Sequence, residues 1–231
     1  MSIFIKYHLN YRKHLVSTPE QRSKYLSLFP MPEDINTAYI QGSDVNDSAS
    51  MFKEIILNTK KQTSKLARTL NAYNLEITCK NVHKFWHDNV QYKLETAGIE
   101  QLKQPSRLFL DGMIGGDSIG FSMAVSQTLL NCGITNYLRF VKTEQESDYG
   151  HIYIVVPKDQ KNLNLYDNTK PDYYTIDCLH NDGFNVEKPF VHNLDFILTA
   201  QELLNVETEE SLPKTSMGDF KHALAKSLSY N

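Results

Sequence analysis

The chain has 231 residues, of which 41% are hydrophobic and 22% charged, as in soluble globular proteins with one sizeable core. Its formal net charge of −3 gives no broad electrostatic reason to expect nucleic acid or an anionic membrane as the main partner. No segment has the pattern of a signal peptide or the roughly 20 apolar residues of a membrane helix. Cys79, Cys132 and Cys178 are widely spaced, which favours reduced thiols over disulfides or a zinc site. We therefore expect a soluble product made in a reducing compartment.

The first 90 residues predict an irregular arm followed by two helices. Alternating apolar side chains predict a short strand at residues 2–9. Prolines and a Gly-Ser-Asp cluster interrupt residues 11–50, which we interpret as an arm with a short helix near residues 20–28. Apolar side chains recur at helical spacing over residues 51–71 and 74–90. In these two helices we expect Lys60, Lys61 and Lys65 to face solvent and Ile77, Val82, Phe85 and Trp86 to face inward.

The remainder predicts a glycine-rich loop, a further helix and a sheet. The loop at residues 108–117 ends at Ser118, and the helix predicted for residues 119–131 stops at Cys132 and Gly133. Residues 137–141, 151–157 and 173–178 predict strands, and the tail has helix candidates at 201–205 and 218–228. This order predicts an α+β fold, with a helical layer packed on an antiparallel sheet. The predicted division is an N-terminal strand and arm at 1–50, a core at 51–193 and a helical tail at 194–231.

Three residues in the core have the types and positions of a catalytic triad. Ser118 begins a helix, whose unpaired N–H groups and partial positive charge can stabilise an oxyanion. His151 opens one predicted strand and Asp177 closes the next, so adjacent antiparallel strands would place the carboxylate beside the imidazole. A nucleophile on a helix with a base and an orienting acid on strands is the layout of a Cys-His-Asp triad.

Several motifs in this region also resemble a known family. They are FWHDNVQYKLETAGIEQLKQPSRLF, GGDSIGFSMAVSQTLLNCGI, GHIYIVVP and YYTIDCLHNDGFNVEKPF. In this order they resemble the transglutaminase-like, papain-related proteins of Bacteroidetes bacteria and their phages, over roughly 110 residues. The resemblance implies a transglutaminase-like or papain-like fold. The matching positions include Tyr92, which ends the first helix motif, and the turn from Asp117 to Ser122.

The resemblance matches some of the candidate site residues to the family and differs at others. His151 matches the general base of the family, and Asp177 matches the orienting carboxylate. Asp167 is an alternative acid, because it follows His151 by 16 positions (167 − 151 = 16), a separation typical of simpler transglutaminase cores. Ser118 stands where the family has its cysteine, and Ile119 and Gly120 stand where the family has two acids.

Two functions therefore stay open, and with them the question of whether the chain is an enzyme. One is a catalytically silent domain with a structural or interaction role in a phage virion or its assembly, with protein partners. The other is an active hydrolase or acyltransferase of amides or esters that uses Ser118 as nucleophile. Three explanations of the serine at position 118 stay open: natural drift of an inactive site, a working enzyme that uses serine, and an engineered substitution. We expect no cofactor, no nucleic acid and no direct membrane insertion, and a location in the bacterial host cytoplasm or in the virion.

The remaining polar residues are interpreted as structural. The histidines His8, His14, His83, His87, His180, His192 and His222 have no metal-ligand spacing with acids or cysteines, so no metal site is predicted. His83 and His87 are interpreted as surface side chains. Asn185 and Glu187, with Lys188 and Pro189, are expected to fix a turn behind the sheet.

Overall fold

The described residues form an α+β fold in which helices pack on an antiparallel sheet. The computed structural model describes residues 16–31, 45–93, 102–142 and 149–209. The strand predicted at residues 2–9 and the helix predicted at 218–228 lie outside these ranges. Within them the α-helices are α1 (Pro19–Ser23), α2 (Val45–Asn58), α3 (Ser64–Leu70), α4 (Leu75–Asn89), α5 (Pro105–Leu110), α6 (Ser118–Asn131) and α7 (Ala200–Glu209), with 3-10 turns at Leu26–Leu28 and Lys60–Gln62.

The sheet confirms the three predicted strands and adds a fourth. The strands are β1 (Asn136–Lys142), β2 (His151–Pro157), β3 (Tyr166–Asp167), β4 (Lys170–Pro171), β5 (Tyr173–Ile176) and β6 (His192–Leu198). Four of them form one sheet in the order β5-β2-β1-β6, while β3 and β4 form a separate pair. The prediction placed residues 194–198 in a helical tail. They instead belong to β6, because Leu194, Phe196 and Leu198 alternate along an edge strand that pairs with β1. The helix predicted at 201–205 is confirmed as part of α7.

Helix α6 lies at the centre of the fold. Every residue from Gly120 to Leu130 is buried, because α6 packs on the sheet and on the helices α2, α3, α4 and α5. The predicted C-terminal stop is confirmed. Gly133 has φ +79° and donates its N–H to Leu130 O (2.9 Å), while Ile134 N–H reaches Leu129 O (3.0 Å). A helix buried all round fixes the place of its first residue, Ser118.

The single helix predicted for residues 51–71 is wrong in two respects. Helix α2 already begins at Val45, inside the segment predicted as an arm, and the helical run breaks after Asn58. The break has a tertiary cause. Gln127 of α6 donates its side-chain N–H to Ile56 O (2.8 Å), and Asn131 donates to Lys60 O (2.9 Å). These side chains take carbonyl groups that an unbroken helix would use for its own N–H groups.

Three side-chain expectations in the helices are also corrected. Lys60 is buried rather than solvated, and its Nζ reaches Leu203 O in α7 (3.3 Å). Ile77 is 52% exposed rather than inward, while Val82, Phe85 and Trp86 are buried as predicted. His83, expected at the surface, is buried in α4.

A polar network covers the side of the sheet opposite to α6. Arg139 of β1 is fully buried and binds Asp195 of β6 through two hydrogen bonds of 2.7 Å. It also binds Glu187 (2.9 Å), which accepts hydrogen bonds from Tyr153 (2.7 Å) and Tyr173 (2.6 Å). The residue predicted to fix a turn behind the sheet, Glu187, thus joins three strands and the segment before β6. Burial and the contact with Glu187 raise the pKa of both tyrosines, so their hydroxyls remain proton donors.

Candidate active site

Ser118 is the first residue of α6. The preceding residue, Asp117, caps the helix, because its Oδ1 accepts the N–H of Gly120 (3.0 Å). A helix of 14 residues presents unpaired N–H groups and a partial positive charge at this end. Ser118 is half-buried there. The position is therefore the one at which a helix can support a nucleophile or bind an oxyanion.

The turn before Ser118 is held by the segment that contains Tyr92. Lys93 N–H donates to Gly116 O (2.9 Å), and Gly116 N–H donates to Gln91 O (3.0 Å), so the two segments form a short parallel bridge. Gly115 has φ +99°, and an added Cβ there would lie 2.5 Å from Gln91 O. The glycine-rich loop therefore needs a residue without a side chain at position 115. Two distant sequence motifs meet at this bridge.

The structure brings His151 and Asp177 together. His151 Nε2 lies 2.7 Å from Asp177 Oδ2, and both side chains are buried. The strand register explains the pair. The last paired residue of β5, Ile176, lies opposite Ile154 of β2, and Asp177 follows Ile176 directly, so Asp177 lies near the end of β2 that His151 begins. The spatial pairing predicted from the two strands is thus present in the structure.

Asp167 does not take this place. It lies in the β3–β4 hairpin opposite Lys170, is exposed, and accepts a hydrogen bond from the neighbouring Asn168 (3.0 Å). Asp177 is therefore the carboxylate beside His151, although its catalytic role stays a prediction.

Two further histidines surround Asp177, and the sequence interpretation missed both. His180 Nε2 lies 3.1 Å from the same Oδ2 atom that binds His151, and His83 Nε2 donates to the backbone carbonyl of Asp177 (3.2 Å). His180 is buried, and its spacing of three residues from Asp177 was the only sequence signal for this contact. No spacing rule pointed to His83, because it comes from α4, 94 residues earlier in the chain.

These contacts shift the pKa values of Asp177 and His83. Burial by itself would raise the pKa of Asp177, but the charge and hydrogen bond of His151, with a further contribution from His180, hold the pKa of this carboxyl well below its usual value. Burial lowers the pKa of His83 to about 4, so this imidazole is neutral at neutral pH. Asp177 Oδ1 also accepts the N–H of Leu179 (3.0 Å), which fixes the orientation of the carboxylate.

Ser118 and Asp177 line the same crevice, and no hydrogen bond among the described residues joins Ser118 to the His151–Asp177 pair. A narrow crevice is lined by Ser118, Ser122, Tyr153 and Asp177 among others. Ser122 lies one helical turn after Ser118, and its Oγ donates to the carbonyl of the residue after His151 (3.0 Å). In the part of the chain that the structure describes, no hydrogen bond joins Ser118 Oγ to His151. Because His151 uses Nε2 for Asp177, Nδ1 is the nitrogen that would have to accept a proton from Ser118.

The cysteines do not supply an alternative nucleophile of low pKa. Cys79, Cys132 and Cys178 form no disulfide with one another in the described residues. Burial raises the pKa of Cys79 and of Cys132 to about 12. Cys178 is buried, and its Sγ points to the carbonyl of His83.

These residues define a class of protein: an α+β domain in which a buried His–Asp pair lies next to the first turn of a central helix. No helix among the described residues is long and apolar enough to cross a membrane.

Comparison with known proteins does not narrow this description further. No family model and no curated protein matches the chain. Calcium-bound LapG of Legionella pneumophila is a similar solved structure, with 14% identity over 66% of this chain and 88% of that chain and a TM-score of 0.43. A second LapG structure has 14% identity over 66% and 86% of the two chains and a TM-score of 0.43. EGTA-treated LapG has 16% identity over 64% and 89% and a TM-score of 0.35. At these values the likeness carries no argument about activity.

Proposed function

We propose that this chain is a transglutaminase-like domain that is catalytically silent and acts as a structural or interaction protein. The observation that carries the proposal is the state of the three candidate residues. His151 and Asp177 keep a buried contact of 2.7 Å, while Ser118, where the related motifs have cysteine, makes no hydrogen bond to His151 within the described residues. The base and its orienting acid are retained, but the activated nucleophile is not.

The chemistry of serine supports the same conclusion. A thiol is readily converted to a nucleophilic thiolate at a helix N-terminus, whereas a hydroxyl needs a base in direct contact to become reactive. Ile119 and Gly120 replace the two acids that follow the nucleophile in the related motifs. Asp177 is also shared between His151 and His180, so its carboxylate is not dedicated to one base.

The proposed partner is another protein, in a particle of several subunits. The net charge of −3 gives no reason for nucleic acid as a partner. The more specific proposal of a phage virion or assembly role rests on the sequence resemblance alone.

The second candidate function is acyl transfer or hydrolysis with serine as nucleophile. It is favoured by the place of Ser118, which lines the same crevice as Asp177 at the start of a long helix. In that reaction Ser118 Oγ attacks an amide or ester carbonyl while its proton passes to His151. The helix N–H groups bind the oxyanion, and His151 then protonates the leaving amine or alcohol. Water then attacks the acyl group while His151 takes its proton, and the serine oxygen leaves with that proton from His151.

Labelling with electrophilic probes tests the two functions against each other. We expect the unaltered protein to show no labelling of Ser118 by a fluorophosphonate. We also expect the Ser118→Cys variant to react with iodoacetamide no faster than Ser64→Cys. Ser64 is a matched control, because it is a half-buried serine that also begins a helix, α3. The sites of labelling are read by mass spectrometry of peptides. The unaltered protein supplies the background from its three native cysteines.

One result would overturn the silent assignment: fluorophosphonate labelling of Ser118 that is lost in His151→Gln. The Ser118→Cys variant answers a separate question, which is whether His151 can still assist a nucleophile at position 118. Labelling about 100-fold faster than Ser64→Cys, falling to the control rate when His151→Gln is added, would show that the serine alone silences the site. General-base assistance typically contributes 100-fold or more to such reactions.

A further inference from the structure

The cluster around Asp177 has the composition of a transition-metal site. His151 Nε2 and His180 Nε2 lie 2.7 and 3.1 Å from Asp177 Oδ2. The three potential ligand atoms all lie within 4.8 Å of one another, and the three residues are buried. Two imidazoles and one carboxylate are the ligands that zinc and similar divalent ions prefer, whereas calcium and magnesium prefer oxygen ligands alone.

We propose that His151, Asp177 and His180 bind one divalent transition-metal ion, with zinc as the ion that this ligand set fits best. The sequence predicted no metal site, because His180 was interpreted without its neighbour His151, which lies 29 positions away (180 − 151 = 29). The strand pairing of β2 with β5 brings the ligands together. Binding of the ion does not depend on whether Ser118 reacts.

The distances are compatible with a tetrahedral ion after a small adjustment. A zinc ion with bonds of about 2.0–2.2 Å separates its ligand atoms by roughly 3.3–3.5 Å. The His180–Asp177 distance of 3.1 Å is close to that spacing, and the His151–Asp177 distance of 2.7 Å must widen by several tenths of an ångström. The fourth position would be open for water, as in zinc sites with three protein ligands.

The contacts around Asp177 also suit a carboxylate that binds a metal ion. The N–H of Leu179 binds Oδ1 (3.0 Å), which leaves Oδ2 as the atom directed at both histidines. His83 binds the backbone carbonyl of the same residue (3.2 Å). Such contacts around a ligating carboxylate hold it in position and strengthen metal binding. No lysine or arginine forms an ion pair with Asp177 in the described residues, so the two histidines are the groups that face its charge.

The test is a zinc titration of the full chain after removal of metal with a chelator. Isothermal titration calorimetry is expected to show one ion per chain, and Co²⁺ is expected to give the strong visible absorption of a tetrahedral site. Asp177→Asn and His180→Gln should each weaken zinc binding by about 100-fold or more, since loss of an outer contact alone can cost 10- to 100-fold. His87→Gln is the matched control. His87 lies outside the three-residue cluster and stacks on His83, with ring centroids 5.5 Å apart, and its loss should leave zinc binding unchanged.

Three results would overturn the metal site. They are the absence of stoichiometric zinc binding, binding that survives both ligand variants, and binding that is lost in His87→Gln. If a ligand variant fails to fold, the cobalt spectrum of the unaltered protein decides, because a spectrum without tetrahedral absorption contradicts the site by itself. A zinc ion on His151 Nε2 would leave the imidazole proton on Nδ1, so the labelling experiment on Ser118 is done on the metal-free protein to keep the two results distinguishable.

Discussion

Replacing Arg139 with methionine is expected to lower the free energy of unfolding by about 3–5 kcal/mol, the usual cost of breaking a buried ion pair by removing one partner. Methionine keeps much of the volume but leaves Asp195 and Glu187 without the guanidinium that binds them at 2.7 and 2.9 Å. Both carboxylates are mostly buried, so water replaces the lost contacts only in part. Urea denaturation measures the change, which corresponds to a fall in melting temperature of about 6–20 °C for a chain of this size.

The matched control is Arg107→Met. Arg107 also binds a carboxylate, that of Asp111 at 2.8 Å, but its side chain is 44% exposed and the pair lies within one helix turn. Such pairs contribute at most about 0.5 kcal/mol. If Arg139→Met and Arg107→Met destabilise the protein equally, the network on this face of the sheet does not stabilise the fold.

Replacing Gly115 with alanine is expected to destabilise the protein by about 2–4 kcal/mol and to disturb the turn before Ser118. Part of the cost, about 1–2 kcal/mol, comes from placing an L-residue at φ +99°. The rest comes from the new Cβ, which would lie 2.5 Å from Gln91 O, a backbone atom that cannot move without breaking the bridge to Gly116. Denaturant unfolding measures the total cost.

Gly183→Ala separates the two contributions. Gly183 has a similar φ of +95°, but an added Cβ there would meet no atom within 4 Å. This control should therefore show only the conformational cost, about 1–2 kcal/mol. Equal destabilisation by the two variants would mean that the contact between residue 115 and Gln91 does not hold the turn.

The local patterns of the sequence predicted most of the helices and strands correctly. Alternation identified β1, β2 and β5, because each of these strands pairs with a neighbour and buries one or both faces. Helical periodicity identified α4 and α6, and Gly133 marked the end of α6 correctly. The same reasoning paired His151 with Asp177, since the two residues lie at neighbouring ends of adjacent strands.

The errors share a physical cause, which is contact between residues far apart in the chain. The helical pattern over residues 51–71 is real, but Gln127 and Asn131 of α6 bind the backbone at Ile56 and Lys60 and break it. Lys60 was expected in water because lysines usually are, and α7 covers it. Edge strand β6 is half-buried, carries polar residues between its apolar ones and lies next to a helix, so its short alternation was not recognised as a strand.

The sequence by itself therefore determined the α+β order, the central helix that begins at Ser118, and the expectation that His151 pairs with an aspartate, Asp177 or Asp167. These features depend on periodicity and on residues that are neighbours in adjacent elements. Only the tertiary structure decided that Asp177, and not Asp167, faces His151, and that His180 and His83 lie on the same carboxylate residue. It also decided that Ser118 lines the same crevice as Asp177, while no hydrogen bond in the described part of the chain joins Ser118 to the pair. Such relations depend on how β2, β5, α4 and α6 pack against one another, and the spacing of residues along the chain does not contain that information.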